Sequence, residues 1–297
     1  MILSGRNLSR CRSTWATPSG RAEPPGSGGG LLSVRALTGA VFGAAVEVAA
    51  IVAALALYPS GLGEGGERRR PGGPRRSAPS DGTTALPAVS ADSPVLLVHG
   101  LCSNRAIFHV MRRGLRQAGF RRVVVLNYNW LNNDVRSAAR LLAEQVERVC
   151  EDSGHERVHV IGHSLGGVVA RYYVQRMGGD DRVHTLVTLG APHHGTLAAA
   201  LPLPLRAIRQ LRPGSDVLAE LAGPAPGCGT RFVAFHSDLD ELIVPAANAR
   251  LVHPDLRIRN VPVRAVGHVS LPLHGRVVGE VCRVLRDARV AEPLAAA

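Results

Sequence analysis

Residues 158–167 read VHVIGHSLGG, and this stretch decides the fold class. The first four residues are typical of a short buried strand, and the apolar segment after Ser164 is typical of a helix. A Gly-x-Ser-x-Gly string between a strand and a helix predicts a tight turn with strained backbone angles at the serine. Gly162 and Gly166 lack the Cβ atoms that would collide where the turn brings the two glycines together. The hydroxyl of Ser164 would then project above the sheet.

Strand and helix patterns alternate along the chain from residue 94 onward. Apolar runs bounded by Gly, Pro or polar residues predict strands, and apolar residues at steps of three and four predict helices. Buried strands that alternate with helices indicate an α/β fold, with a mostly parallel sheet flanked by helices on both faces. The predicted strands span residues 95–98, 122–126, 158–161, 183–189, 230–235 and 261–266, and the predicted helices 107–117, 135–149, 165–177 and 276–290.

Composition divides the chain into four parts. Residues 1–35 are rich in Gly, Ser, Pro and Arg, which predicts a disordered basic N-terminus. Residues 36–58 are predominantly apolar, with Glu47 as their single charge, and follow directly after Arg35, as in a transmembrane helix or signal anchor. Residues 59–92 have the Pro-, Gly- and Arg-rich composition of a linker, and residues 93–297 form the predicted catalytic domain.

The apolar segment also bears on localisation. We expect it to anchor the protein with the catalytic domain outside the cytoplasm, or to be cleaved so that the domain is secreted. Arg68, Arg69 and Arg70 follow the segment and favour the opposite orientation, because positive residues tend to stay on the cytoplasmic side. A cytoplasmic catalytic domain is therefore an alternative.

The net charge of +12 raises the question of an anionic partner. All 35 basic residues are arginines, and this bias is as typical of genome-wide codon usage as of a binding surface. Residues 91–297 hold 25 arginines against 18 acids, and the two kinds of residue are interspersed without forming blocks. We therefore expect an anionic membrane surface as a partner and no nucleic acid.

The cysteines offer no metal or redox motif, because no CxxC pair occurs. Cys11 lies in the predicted disordered tail. If the domain is exported, the remaining four cysteines allow three disulfide pairings, and free thiols remain an alternative. These four are Cys102, Cys150, Cys228 and Cys282.

The chemistry expected of Ser164 requires a base, an orienting acid and donors for an oxyanion. The helix after the turn would point the N–H of Leu165 into the site, and its positive end favours negative charge there. The first strand ends in VHGL, and the N–H of Leu101 is the candidate second donor. We expect His99 to order this loop through hydrogen bonds.

The base and the acid should follow the last two strands. His268 lies in VGHVSLP, on a glycine-containing loop beyond the predicted last strand. The preceding strand leads into SDLDELIVP, and Asp240 is the candidate acid. Asp238 and Glu241 remain alternatives, because the register of a loop cannot be read from sequence. The order Ser, Asp, His is that of α/β-hydrolases.

These motifs resemble those of bacterial lipases and esterases of the compact α/β-hydrolase type. The matching pieces are VLLVHG, IGHSLGG, TLGAPHHGT, SDLDELIVP and VGHVSLP, within residues 94–289. The resemblance implies hydrolysis of lipid or short acyl esters through an acyl-enzyme, with no cofactor and no metal. One departure is the single glycine after His99, which points away from esterases with a triple-glycine loop. The same machinery could also serve an acyltransferase or a thioesterase, or belong to an inactive scaffold.

Other residues have plainer interpretations. We assign His163 a packing role, and a metal role for the adjacent His193 and His194 has little support because their spacing is wrong. Residues 197–225 are apolar and interrupted by prolines. They form either a mobile lid or a fixed cap over the site. The oligomeric state and the acyl-chain preference are not determined by these patterns.

Overall fold

A computed structural model describes residues 93–200 and 204–290, with the side chains of residues 288–290 excepted. The predicted N-terminal tail, apolar segment and linker (residues 1–92) lie outside the described residues. Among the helices described, none is both long and apolar enough to cross a membrane.

The centre of the domain is a six-stranded sheet in which every pair of neighbouring strands is parallel, in the order β2-β1-β3-β4-β5-β6. The predicted α/β fold with a parallel sheet is therefore confirmed. The strands are β1 (Val95–Val98), β2 (Val123–Leu126), β3 (Val158–His163), β4 (Val183–Leu189), β5 (Arg231–Ser237) and β6 (Arg257–Val263).

Helices cover both faces of the sheet, and each face has its own hydrophobic core. One core joins α2, α3, α4 and α5 to the sheet, and the other joins α1 and α6 to it. A short 3₁₀ turn precedes α1, so the helix predicted from residue 107 begins slightly later. The α-helices are α1 (His109–Gln117), α2 (Val135–Ser153), α3 (Leu165–Arg176), α4 (Arg206–Gln210), α5 (Asp216–Ala222) and α6 (Gly275–Val290).

The predicted bounds of the last strand, 261–266, are wrong. β6 starts earlier, at Arg257, and ends at Val263. It is an edge strand whose side chains are exposed or half-buried, so it has no continuous apolar run to mark it. Arg257 and Pro262 suit an edge strand, because charge and a missing N–H block further strand pairing. The apolar residues after Val263 belong to the loop that carries His268.

Helix α2 begins directly after Asp134, whose side chain caps its first turn. The Asp134 side chain accepts a hydrogen bond from the N–H of Ser137 at 2.8 Å, and the Ser137 hydroxyl accepts one from the N–H of Asp134 at 2.9 Å. This reciprocal arrangement satisfies two of the N–H groups that have no partner in the first turn. Gly154 ends the helix in a left-handed conformation with φ of 70°.

Candidate active site

Ser164 lies in a tight turn between β3 and α3. Its φ of 54° and ψ of −125° place a non-glycine residue in a strained region of backbone space. The turn is fastened by its backbone, since Ser164 N donates to Leu189 O and Gly167 N donates to Ser164 O, both at 2.9 Å. The strained turn predicted from the sequence is therefore present, at the carboxyl edge of the sheet.

The two glycines of the turn face different neighbours. A Cβ on Gly162 would lie 2.6 Å from the carbonyl oxygen of Gly166, as the sequence predicted. A Cβ on Gly166 would instead collide with the end of β1, at 2.6 Å from His99 O and closer still to Val98 O. The sequence predicted a collision with Gly162, and the nearest atoms are instead those of the neighbouring strand. Gly166 lets the helix approach the neighbouring strand.

Replacing Gly166 by alanine is expected to lower the free energy of unfolding by about 2 kcal/mol or more, because both colliding atoms belong to the backbone and cannot rotate away. Urea denaturation followed by circular dichroism measures the change. Gly279→Ala is the control, since a Cβ there meets nothing within 4 Å and alanine favours the helix by up to about 1 kcal/mol. An alanine at 166 as stable as the wild type would contradict this account of the turn.

Asp240 and His268 form a buried hydrogen-bonded pair. Both carboxylate oxygens of Asp240 lie 2.9 Å from His268 Nδ1, and both side chains are almost inaccessible to solvent. The N–H groups of Leu242 and Ile243 donate to Asp240 Oδ1 at 3.1 and 2.9 Å. A carboxylate only accepts, so a neutral His268 ring holds its proton on Nδ1 and has its lone pair on Nε2.

The two alternative acids take other roles in the structure. Asp238 Oδ1 accepts a hydrogen bond from Ala265 N at 2.8 Å, and Ala265 has a positive φ of 56°. Glu241 Oε2 accepts from the backbone N–H of His268 at 3.3 Å. Both acids brace the backbone of the histidine loop, and only Asp240 is paired with the His268 ring in the structure.

His163 also contacts the histidine loop. Its Nε2 lies 3.0 Å from the carbonyl oxygen of His268, and the centres of the two rings are 4.9 Å apart. Burial lowers the pKa of His163 to about 3, so the ring is neutral, and Nε2 carries the proton that it donates to this carbonyl. The packing role predicted for His163 therefore leaves out a hydrogen bond. It ties the residue before Ser164 to the backbone of His268.

His99 holds the loop after β1 in place, as the sequence suggested. Its Nδ1 donates to Gly100 O at 3.0 Å, and its Nε2 accepts from Tyr128 N at 3.4 Å. The Tyr128 hydroxyl donates to His99 O at 2.9 Å, and the two rings stack with centres 4.5 Å apart. Burial lowers the pKa of His99 to about 4, which keeps this ring neutral as well.

These two buried histidines predict a loss of stability in acid. Unfolding returns each ring to a pKa near 6.5, whereas folding lowers it to about 4 in His99 and about 3 in His163. The unfolded chain then binds more protons below about pH 6.5, so the free energy of unfolding should fall as the pH falls from there toward 3. Urea denaturation at a series of pH values measures the slope.

His163→Gln is the informative variant, because the glutamine amide can take the place of Nε2 and donate to His268 O but does not titrate. It should flatten the pH dependence between pH 6.5 and 3 by more than the same change at the exposed His194, whose pKa burial lowers to a smaller extent. An unchanged slope in His163→Gln would show that this ring does not titrate on unfolding.

The two candidate oxyanion donors lie on either side of Ser164. Leu165 is the first residue of α3, where backbone N–H groups have no partner within the helix. Leu101 lines the cavity next to Ser164, and Cys102 beside it has a positive φ of 52°. A Cβ on Gly100 would lie 2.8 Å from the Cβ of Ser164, so this loop approaches the serine closely.

A largely apolar cavity of about 360 Å³ opens over these residues. Ser164 and His268 both line it, which places them at one site. Its volume lies at the lower end of the range typical of small-molecule sites. The apolar walls include Leu101, Ile107, Ala199, Ile208, Leu211 and Ile243.

Helices α4 and α5, within the segment predicted to be a lid or a cap, are fastened to the body of the domain. Gln210 accepts from Val135 N at 2.8 Å. The buried Arg171 donates to Leu221 O at 2.9 Å and to His193 O at 3.2 Å. Desolvation lowers the pKa of Arg171 to about 9, because the contact between this side chain and the cap is shielded from water. These contacts favour the fixed cap over the mobile lid for α4 and α5.

The cysteines and the adjacent histidines take no part in the reacting groups. The described part of the chain has free thiols at Cys102, Cys150, Cys228 and Cys282. Within residues 93–200 and 204–290, no three His, Cys, Asp or Glu side chains come together as metal ligands would. His193 is buried, with Nε2 at 2.9 Å from Thr188 Oγ1, whereas His194 is exposed.

Comparison with known proteins finds similarity to a thioesterase family and to lipases. The family model for palmitoyl protein thioesterases matches residues 94–219. The triacylglycerol lipase of Vibrio cholerae is 31% identical over 134 residues, covering 43% of this chain and 40% of the relative. The triacylglycerol lipase of Pseudomonas fragi is 30% identical over 158 residues, covering 51% of this chain and 49% of the relative. Over part of its length the chain is therefore similar to these lipases and to the thioesterase family. It spans less than half the length of either lipase.

Solved structures show the same fold for this lipase-like domain. The mature form of a Bacillus licheniformis lipase superimposes with a TM-score of 0.55 at 17% identity, covering 69% of this chain and 96% of that one. Aspergillus fumigatus lipase B gives a TM-score of 0.54 at 17% identity, covering 61% of this chain and 49% of that one. At such low identity the likeness establishes the fold alone.

Proposed function

We propose that this lipase-like α/β-hydrolase cleaves carboxylic esters of lipids or short acyl groups through an acyl-enzyme on Ser164. The observation that carries the proposal is the buried Asp240–His268 pair, whose histidine lines the same apolar cavity as the serine on the strained turn. A nucleophile, a base and an orienting acid are the three groups that acyl transfer needs.

Each group has a defined task in the proposed reaction. His268 Nε2 takes the proton from the Ser164 hydroxyl as the serine oxygen attacks the ester carbonyl. The negative charge that develops on the carbonyl oxygen is held by the N–H groups of Leu165 and Leu101. When the C–O bond of the ester breaks, His268 returns the proton to the departing alcohol, which leaves the acyl group on Ser164.

A water molecule completes the cycle. His268 removes a proton from the water, whose oxygen attacks the acyl-serine carbonyl, and the proton then passes to Ser164 as the carboxylic acid leaves. Asp240 holds the proton of His268 on Nδ1 and stabilises the ring when it becomes positively charged. The reaction balances with one ester and one water consumed, and it requires no cofactor.

The match to the palmitoyl protein thioesterase model supports a second candidate, the hydrolysis of thioesters. The same steps apply with a thiol as the leaving group. The experiment compares hydrolysis of three substrates by the wild-type full-length protein: a chromogenic butyrate ester, a chromogenic palmitate ester and a palmitoyl thioester. Faster turnover of the esters supports the proposal, and faster turnover of the thioester assigns the second candidate.

Two further outcomes would set aside hydrolysis altogether. Acyl transfer to an added alcohol in preference to water would make the protein an acyltransferase. A folded protein that turns over neither ester nor thioester and does not react with a serine-directed phosphonate would be an inactive scaffold.

Localisation is part of the proposal. We propose that residues 36–58 carry the catalytic domain across the membrane, either as an anchor or as a cleaved signal. Protease added to whole cells should digest the domain of an anchored protein, and a cleaved one should be recovered from the medium. Full protection of the domain would place it in the cytoplasm.

A further inference from the structure

Positive charge is distributed unequally between the two sides of the sheet. Helices α1 and α6 pack together on one side, where a Cβ on Gly114 would overlap the Val278 side chain. Between Arg105 and Asn133 the mixed pattern of arginines and acids expected from the sequence does not hold. This stretch contains six arginines and no acidic residue, and α1 lies within it. Clustered arginines without acids produce a local positive potential.

Most of this charge lies on the exposed side of α1 and on the segment that joins α1 to β2. Arg113 and Arg116 are one turn apart on α1, and Arg122 follows before β2. All three side chains are exposed, and among the described residues no carboxylate forms an ion pair with them. Their charge is therefore available to a partner.

Helix α6 and the edge strand β6 extend the same surface. Arg276, Arg283 and Arg286 lie at helical spacing on the exposed side of α6. Glu280 pairs with both Arg283 and Arg259, so a single acid is shared by two arginines. We call this surface the basic face, defined by Arg113, Arg116, Arg122, Arg276, Arg283 and Arg286.

The opposite side of the sheet does not share this excess. Helices α2 to α5 together carry seven arginines and six acids. Ion pairs neutralise two arginines on this side: Arg136 contacts Asp216 at 3.0 Å, and Arg182 contacts Glu147 at 2.9 Å. A codon bias toward arginine would act on both sides alike, so it does not explain a basic face on one side only.

We propose that the basic face docks on an anionic lipid bilayer. Charge complementarity is the first argument, because arginines near an anionic membrane surface add up to substantial binding. The second argument is the position at which the preceding residues, 36–92, join the domain. The apolar residues 36–58 and the arginine-rich residues 59–92 lead into β1, whose first N–H, at Val95, donates to Arg122 O at 2.9 Å. The chain thus enters the domain beside the basic face.

The proposal is tested on the full chain reconstituted into vesicles, with arginine labelling by p-hydroxyphenylglyoxal and mass spectrometry. Vesicles of phosphatidylcholine alone are compared with vesicles containing about one third phosphatidylglycerol. We expect labelling of Arg113 and Arg116 to slow by about fivefold or more in the anionic vesicles, the factor associated with one arginine at such a surface. Arg140, exposed on α2, should label equally in both.

High salt and duplex DNA serve as controls for the labelling experiment. Protection should disappear at about 0.5 M NaCl, because exposed charges are then screened over a few ångströms. Equal labelling of Arg113 and Arg116 in the two kinds of vesicle would overturn the proposal. Protection by duplex DNA but not by anionic vesicles would also overturn it and would assign the face to nucleic acid.

Matched charge variants provide an independent check. Changing Arg113, Arg116 and Arg122 to glutamine should abolish the phosphatidylglycerol-dependent protection, read at Arg276 and Arg286. Changing Arg140, Arg148 and Arg206 to glutamine removes the same net charge elsewhere and should leave the protection intact. Equal loss in both variants would mean that net charge alone attracts the protein. The labelling does not depend on hydrolysis, so it can succeed or fail independently of the proposed activity.

Discussion

Ser164→Ala is expected to lower kcat for a soluble butyrate ester by roughly a million-fold, close to the loss that follows removal of the nucleophile in other serine hydrolases. The reason is chemical, since alanine offers no oxygen to form the acyl-enzyme, and the cavity and the oxyanion donors retain only a small residual acceleration. Steady-state hydrolysis by the full chain, with circular dichroism to verify folding, measures the effect.

Ser103→Ala is the matched control for this prediction. Ser103 lines the same cavity, but the structure shows its hydroxyl at 3.5 Å from Asn104 O and in no pair with His268. Its replacement should change kcat by less than about tenfold, the factor that corresponds to 1.36 kcal/mol in the barrier. A folded Ser164→Ala protein with substantial activity would mean that another group attacks the ester, and the proposed mechanism would be wrong.

Asp240→Asn is expected to lower kcat by roughly ten-thousand-fold, because it places the proton of His268 on the wrong nitrogen. Asp240 Oδ1 accepts from the N–H groups of Leu242 and Ile243, so the oxygen of asparagine would remain on that side. Its NH₂ group would then face His268 Nδ1 and require a lone pair there. The proton would move to Nε2, where it prevents the ring from accepting the proton of Ser164.

Asp238→Asn and Glu241→Gln separate this effect from the bracing of the loop. Both acids accept backbone N–H groups, a role that the amide oxygens of asparagine and glutamine can also fill. Each variant should therefore retain kcat within about tenfold of the wild type. If either one loses more activity than Asp240→Asn in the same assay, the acid has been assigned to the wrong residue.

Much of the fold could be predicted because its strands are buried on both sides. A strand such as β1, VLLV, is apolar along its whole length, and its predicted range, 95–98, matches the structure. The edge strand β6 has no such constraint, since its side chains are exposed or half-buried. Its sequence includes Arg257, Arg259 and Pro262, and the apolar pattern placed it too far toward the C-terminus.

At the candidate site, the sequence predicted the positions of the reacting groups better than their contacts. Ser164 could be placed because its turn needs glycines at two set positions, and His268 because it follows the last strand. The choice of Asp240 over Asp238 and Glu241 depended on where the loop after β5 turns, which local sequence does not specify. The hydrogen bond from His163 to the carbonyl of His268 joins residues over a hundred positions apart.

The sequence by itself determined the parallel α/β architecture and the strained turn at Ser164, because hydrophobic periodicity and glycine spacing are local properties. Only the tertiary structure decided which acid meets His268, why Gly166 must be glycine, and that the exposed arginines of α1 and α6 share one face. Each of these depends on which segments the sheet brings together. Distances across a sheet are set by the packing of many residues at once, so short patterns in the chain cannot specify them.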